Sequence, residues 1–335
     1  MKAAFYEAPY RVDVREAPRP EPGPNEVVVR VAACGICGTD QHIFQGDFFP
    51  TYPLIGGHEM AGEVVAIGDS VDTVAEGDRV AVDPSLFCGY CYFCQRAQGN
   101  HCLNWNALGV TRHGGFADYV LAPKANIYRI GDMPFEEAAF VEPISCVVYG
   151  LRRIRIPVGA NALIYGAGPI GLLMMQLVCR GGAAQVVSVD LKEEKLELAR
   201  QLGAHETVTA GPDADDMLRE ISSLGFDVVI DCTGVPSVVE QMFTHVRDEG
   251  KLLFFGVNPT DATIKVSPYL VYKKDLEIYG SFALRFTFHQ AIDLMQSGAV
   301  NVKPLLSDRL PIERFPEALR LAGSGEALKV QIQPQ

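Results

Sequence analysis

Cys88, Cys91, Cys94 and Cys102 form a C-x2-C-x2-C-x7-C run. Four thiolates this close in sequence can surround one Zn²⁺ tetrahedrally, with Gly89 and Gly99 easing the turns. Charge balance favours zinc, and an iron–sulfur cluster is the formal alternative. With every ligand a thiolate, no coordination position stays open, so a structural role is expected. A second set is looser. Cys37 lies in CGICGTDQH, and His58 and Glu59 follow in GGHE. Cys, His and a carboxylate are the mixed ligand kind that leaves a zinc position open for water or substrate. Glu142 in VEPIS is flanked by apolar residues and Pro143, and a carboxylate in that setting needs a partner, which a metal would supply. Taken singly, His58 also reads as a hydrogen-bonded core histidine and Glu142 as a charge at a helix N-terminus. Cys34, Cys146, Cys179 and Cys232 read as buried small residues.

The segment ALIYGAGPIGLLMMQL carries Gly166-x-Gly168-x-x-Gly171 between an apolar run and a helical pattern. The first glycine permits the turn, the second admits a pyrophosphate to the backbone, and the third lets helix and strand pack closely. Pro169 and Ile170 complete the loop, and the free N–H groups of the following helix suit phosphates. The expected acidic residue further on is Asp190, which ends QVVSVD. Its carboxylate would accept from ribose hydroxyls and repel a 2′-phosphate, so NAD is favoured over NADP. Lys192 and Lys195 nearby soften that preference without reversing it.

These residues need a scaffold, and the chain has room for one. Its 335 residues suggest two domains, and 48% hydrophobic content supports a sizeable core. Acidic residues outnumber basic ones 41 to 29, a net charge of −12 that repels phosphate backbones and argues against nucleic-acid binding. Arg152, Arg153, Arg155, Lys273 and Lys274 read as solvated faces. The N-terminal stretch mixes charges with prolines and lacks the apolar centre of a signal peptide, and nine cysteines then point to metal or thiol chemistry in the cytoplasm. Residues 156–179 carry no charge and could cross a bilayer in length, but Gly166, Gly168, Pro169 and Gly171 break the run, so no membrane span is expected. The first 150 residues hold short β-like runs: 26–32, 61–67 and 79–82. From about Asn161, strands at 162–165, 185–190, 227–232 and 251–257 alternate with helical segments after Gly171, at 193–202 and at 238–246. That alternation marks a parallel sheet with crossover helices. Residues 288–297 read as an amphipathic helix.

In this order, CGICGTDQH, GGHEMAGEV, GDRVAVDP, CGYCYFC, GGFADYV, VEPIS and GAGPIGLL resemble the zinc-dependent medium-chain dehydrogenases over nearly the full length. Within them the polyol branch (sorbitol, threonine, butanediol and arabitol dehydrogenases) is the nearest in pattern. The resemblance implies an α/β chain in which a Rossmann doubly wound parallel sheet is inserted into a mainly β, GroES-like catalytic domain. The catalytic domain with its structural zinc lobe is expected at 1–147, the NAD-binding domain at 148–280, and the return to the catalytic domain at 281–335.

By the same resemblance, Cys37 and His58 would hold a catalytic zinc. Glu59 would be a ligand or close by, and Glu142 would ligate or hold the zinc-bound water. Cys146 could intrude as a second thiolate, but the Glu142–Pro143 pair matches the polyol pattern. Two zinc ions per subunit and NAD are thus the expected cofactors. Zinc lowers the pKa of an alcohol bound to it, Thr39 would pass the proton towards His42, and a histidine can release it near neutral pH. Hydride would then go to the nicotinamide, giving the ketone of a polyol or secondary alcohol. Arg285 and Phe116 are the candidate substrate contacts, with Phe44, Phe48 and Phe286 as further pocket walls. Action on an amino or phosphorylated alcohol, and a non-catalytic NAD-binding protein on the same scaffold, are the other readings. A homo-oligomer, tetramer or dimer, is expected by analogy.

Overall fold

A computed structural model describes residues 1–47 and 51–334, so Phe48 lies outside the described residues. The chain divides into two compact units. One contains Met1–Ser145, Leu284–Gln296 and the stretch from Val302 on, and the other contains Cys146–Ala283 and Ser297–Asn301.

In the first unit the strands are β1 (Lys2–Ala8), β2 (Arg11–Glu16), β3 (Glu26–Gly35), β4 (Leu54–Ile55), β5 (Glu59–Ile67), β6 (Arg79–Val82), β7 (Ser85–Leu86), β8 (Asn106–Ala107), β9 (Tyr119–Pro123) and β10 (Ile127–Arg129). Helix α1 (Gly38–Gln45) follows β3, and α2 (Phe135–Ala138) precedes α3 (Val141–Ile154), which starts in the first unit and continues from Cys146 in the second. The second unit continues as β11 (Asn161–Tyr165), α4 (Pro169–Arg180), β12 (Gln185–Asp190), α5 (Glu193–Gln201), β13 (Glu206–Thr209), α6 (Ala214–Ile221), β14 (Phe226–Asp231), α7 (Pro236–His245), β15 (Val246–Phe254), α8 (Pro268–Lys273) and β16 (Glu277–Gly280). The chain returns through α9 (Phe288–Gln296), β17 (Leu306–Pro311), α10 (Phe315–Ser324) and β18 (Lys329–Gln333).

Among the described residues, the first unit's main sheet runs β10-β6-β5-β3-β18-β17, with β9 also paired to β3. β3 is its spine, because Val27, Val28, Val29, Val31, Ala33 and Cys34 are all inaccessible to solvent. Val27, Val29, Val31 and Cys34 fill one core with Tyr6, Phe116 and Phe315. The register puts Gly35 of β3 opposite Glu59 of β5 on one side and Gln331 of β18 on the other.

The second unit's sheet runs β13-β12-β11-β14-β15-β16 and is parallel throughout. This is the doubly wound 3-2-1-4-5-6 order, whose reversal point lies between β11 and β14. NALIY, QVVSVD and FDVVID are buried along most of their length, as strands covered on both faces must be. β13 and β16 escaped the sequence reading for a physical reason. Each has four residues at a sheet edge, with one buried residue in β13 and none in β16, so neither shows an apolar period. The helix expected after Gly171 begins at Pro169, whose fixed φ suits a first helical turn. Ser297–Asn301 joins this unit, an excursion the sequence did not announce. Gln176 of α4 holds it with two bonds to Asn301, at 2.8 and 3.2 Å. Among the described residues no helix is long and apolar enough to cross a membrane.

Candidate metal and cofactor sites

The four clustered cysteines sit between β7 and β8, carried by single turns at Cys94–Arg96 and Gly99–His101. Sulfurs about 2.3 Å from one tetrahedral ion stand about 3.8 Å from each other. Here Cys91 Sγ lies 3.5 Å from Cys94 Sγ and 3.9 Å from Cys102 Sγ, and Cys102 Sγ lies 3.6 Å from Cys88 Sγ. Backbone N–H groups of Cys88 and Asn104 donate to Cys102 Sγ, each at 3.3 Å, as they would to a thiolate. Backbone donors from Cys94 and Leu103 hold Cys91 down to about 6. Desolvation and then its sulfur neighbours push Cys94 up to about 12. Four thiolates this close need a cation, and the donor set fits zinc.

The second site grows from the end of β3. The chain leaves the strand at Gly35, and Cys37 caps helix α1. Asp40, at the third position of that helix, turns back to accept from the Cys37 N–H at 2.8 Å, which fixes the cysteine at the helix entrance. His58 and Glu59 arrive together at the start of β5, and the ligand atoms of Cys37, His58 and Glu59 lie within 4.8 Å of one another. His58 is buried, and its Nδ1 faces Asp40 Oδ1 at 3.9 Å with no hydrogen-bond partner on either atom. Burial disfavours a charged His58, yet Asp40, Cys37 and Glu142 outweigh it and hold its pKa well above the usual histidine range. Burial pushes Asp40 up to about 6. The pocket thus draws a proton onto His58 because its donors outnumber its cations. A divalent metal answers that imbalance, so the residues fit zinc.

Glu142 lies in the first turn of α3, 9% exposed, and its charge is felt by both His58 and Lys329. It is not in the close donor group. Thr39 and His42 share α1 one turn apart. Thr39 Oγ1 is 3.9 Å from Cys37 Sγ, and His42 Nδ1 is 3.4 Å from Asp47 Oδ2 near the surface.

Two residues here were missed in the sequence. Asp40 had a local signal, an acidic residue three places after Cys37. Lys329 had none, since it lies 270 positions from Glu59, whose two oxygens it meets at 2.7 Å.

In the second unit, Gly166 adopts φ +97 between β11 and α4, a conformation that excludes most other residues. A Cβ on Gly171 would stand 1.8 Å from the Gly166 carbonyl oxygen, whereas one on Gly168 meets nothing within 4 Å. Gly171 therefore serves packing, and Gly168 faces open space where a ligand would lie. Pro169 and Ile170 are half-buried beside it. Asp190 ends β12 and points back at the loop, accepting from the Ala167 N–H at 2.7 Å and the Lys192 N–H at 3.0 Å. Lys195 is half-buried on α5.

Phe116 requires a correction. Its ring is wholly buried and packs on Phe315 at 4.8 Å, so it belongs to the core and offers no wall to a substrate. Phe44 packs edge-on to Tyr10 at 5.6 Å. Arg285 is half-buried in the first unit, next to Phe286, which is 48% exposed and meets Phe87 edge-on at 5.2 Å.

A thiolate lobe, a Cys–His–carboxylate centre and a dinucleotide loop on a doubly wound sheet define a zinc-dependent oxidoreductase. The comparisons agree. The description "Alcohol dehydrogenase GroES-like domain" matches residues 23–132, and "Zinc-binding dehydrogenase" matches residues 169–297. D-arabinitol dehydrogenase 1 from Uromyces fabae is 38% identical over 100% of this chain and 97% of its own length. D-altritol 5-dehydrogenase from Agrobacterium fabrum is 37% identical over 96% of each. A zinc-binding dehydrogenase from Sinorhizobium meliloti, solved with NADP, superposes with a TM-score of 0.95 at 35% identity, covering 99% of both chains. The chain belongs to the zinc-dependent medium-chain dehydrogenase family and is an oxidoreductase acting on small alcohols.

Proposed function

We propose that this chain oxidises a polyol or secondary alcohol to the ketone, with NAD as hydride acceptor. The observation that carries the reading is the Cys37–His58–carboxylate group, Cys37 half-buried and His58 and Glu59 buried, beside Thr39, with His42 one helical turn on towards the surface. When bound, zinc supplies Lewis acidity towards an alcohol oxygen. Cys37, His58 and a carboxylate from Glu59 or Glu142 would hold it, and Asp40 keeps Cys37 in place. Thr39 orients the substrate hydroxyl and takes the first hydrogen bond, and His42 hands the proton to solvent. Gly166, Gly168, Pro169, Ile170 and Gly171 cradle the pyrophosphate, aided by the N-terminus of α4. Asp190 has lone pairs left for ribose hydroxyls, and its charge opposes a 2′-phosphate, with Lys195 at the rim. Arg285 would meet a polar end of the substrate.

The names of the arabinitol and altritol dehydrogenases support a polyol substrate. A homo-oligomer, tetramer or dimer, goes with the reading by analogy, and a cytoplasmic setting goes with nine cysteines given to metal and thiol chemistry. The test is NADH formation by zinc-replete protein over a panel of short polyols, diols, threonine and sugar phosphates, with NADP in parallel. A polyol oxidised with NAD is the expected result. NADP alone as acceptor would refute the role of Asp190, and silence across the panel would refute the polyol reading.

A further inference from the structure

The first unit carries a groove that neither metal site uses. It holds about 550 Å³, within the range of small-molecule sites. β9 lines it from Tyr119 to Pro123, a run of roughly 14 Å. Phe5, Leu108, Val120 and Leu121 give it apolar walls. Its two ends differ in charge. Arg112 and His113 stand at one, beside Ile55, which pairs with Phe5 across β4 and β1. From there β9 leads away to the other end, where Glu26 lies opposite Pro123 in the β3–β9 ladder.

The charged groups at the two ends are not equally committed. Glu26 Oε2 accepts from the Gly23 N–H at 2.9 Å. The Arg112 guanidinium has no hydrogen bond or ion pair among the described residues, in a chain where acidic side chains outnumber basic ones 41 to 29. His113 Nδ1 accepts from the Ile55 N–H at 3.1 Å, which places the ring proton on Nε2. Desolvation holds the His113 pKa below the usual histidine range, so the ring stays neutral and Nε2–H is a second donor beside the guanidinium. A planar fork with an N–H next to it matches a carboxylate, and the walls beyond match hydrocarbon. We propose that this groove binds a monocarboxylate with an unbranched hydrocarbon chain, its head on Arg112 and His113 and its chain laid along β9 towards Pro123. The Glu26 charge at the far end sets the direction, because it repels the anionic head.

The test is isothermal titration calorimetry of the zinc-loaded full chain with octanoate, hexanoate and octylamine. Octanoate should bind, and hexanoate about tenfold more weakly for its two missing methylenes. Arg112→Met should weaken octanoate about 10- to 100-fold, the size of a two-bond contact between charged groups. Arg112→Lys should weaken it less, since the charge stays and only the fork is lost. Ala17→Trp, which puts a large ring into the groove from its rim, should abolish binding. Octanoate that binds Arg112→Met and Ala17→Trp as tightly as the parent lies elsewhere in the molecule, the zinc centre included, and overturns the proposal. Octylamine bound as tightly as octanoate overturns it too, because the groove would then not select its head group. So does a parent that takes up no octanoate. If Ala17→Trp in that case lowers the sedimentation coefficient, a second copy of the chain covers the groove. Arg112 is exposed, so Arg112→Met keeps the test decisive even if Ala17→Trp fails to fold.

Discussion

At the residue scale, the buried His58 and its anionic neighbours set the first expectation. Cys37→Ala or His58→Ala removes a metal ligand while sparing the second unit. Turnover should fall at least about a thousandfold, since loss of Lewis acidity costs several kcal/mol and each 1.36 kcal/mol is tenfold. NAD binding, followed by fluorescence titration, should be unchanged. Asp83 supports a separate prediction about stability. It is 5% exposed, accepts from the Ser85 N–H at 2.8 Å, and burial pushes it up to about 7 from 3.8. An acid with a raised folded pKa binds more protons folded than unfolded over that window, so it lowers stability as pH climbs from about 4 to about 7. Thermal melts of Asp83→Asn should decline less over that range than those of the parent, and parallel curves would refute it. Residues were legible where chemistry is packed into short sequence, as with Cys88 to Cys102. Lys329 was illegible because only the folded sheet brings it to Glu59, and Phe116 was misread because an aromatic near a site motif looks the same in a core.

At the scale of elements, the three glycines of the β11–α4 turn predict different failures. Gly171→Ala drives a methyl group into the Gly166 carbonyl oxygen, 1.8 Å from where its Cβ must go, so the helix has to move off the strand. Its melting temperature and NAD affinity should both fall. Gly168→Ala meets no protein atom within 4 Å, so it should melt like the parent and lose NAD affinity alone. Equal melting losses in the two variants would refute the division of roles. The cysteine lobe makes a parallel case, because it has only two single turns and the short β7–β8 pair to hold it. Cys91→Ser should release one metal equivalent and open residues 88–105 to protease, while the metal at Cys37 stays. The alternation of strands and helices in the second unit was readable because its strands are apolar runs bounded by turns. Its polar edge strands carried no such signal.

At the scale of the molecule, the metal-binding unit is assembled from distant parts of the chain, and the nucleotide unit almost wholly from one. β18 lies between β3 and β17, pairs Ile332 with Cys34 and Gln331 with Gly35, and buries Val330 and Ile332 in the core around Phe315. It also carries Lys329. β5 takes one edge of β3 along its length, while β9 and β18 share the other, β9 at residues 26–30 and β18 at Cys34 and Gly35. Deleting residues 329–335 should therefore unfold the first unit, with loss of metal from the Cys37 site and of all turnover. The second unit draws only Ser297–Asn301 from beyond Ala283, and its sheet is closed by its own strands. The shortened chain should keep a separate melting transition and bind NAD, seen by calorimetry with and without the nucleotide. One transition that vanishes entirely would mean that the two units fold as a single cooperative body, and that the dinucleotide sheet depends on a strand it does not contain.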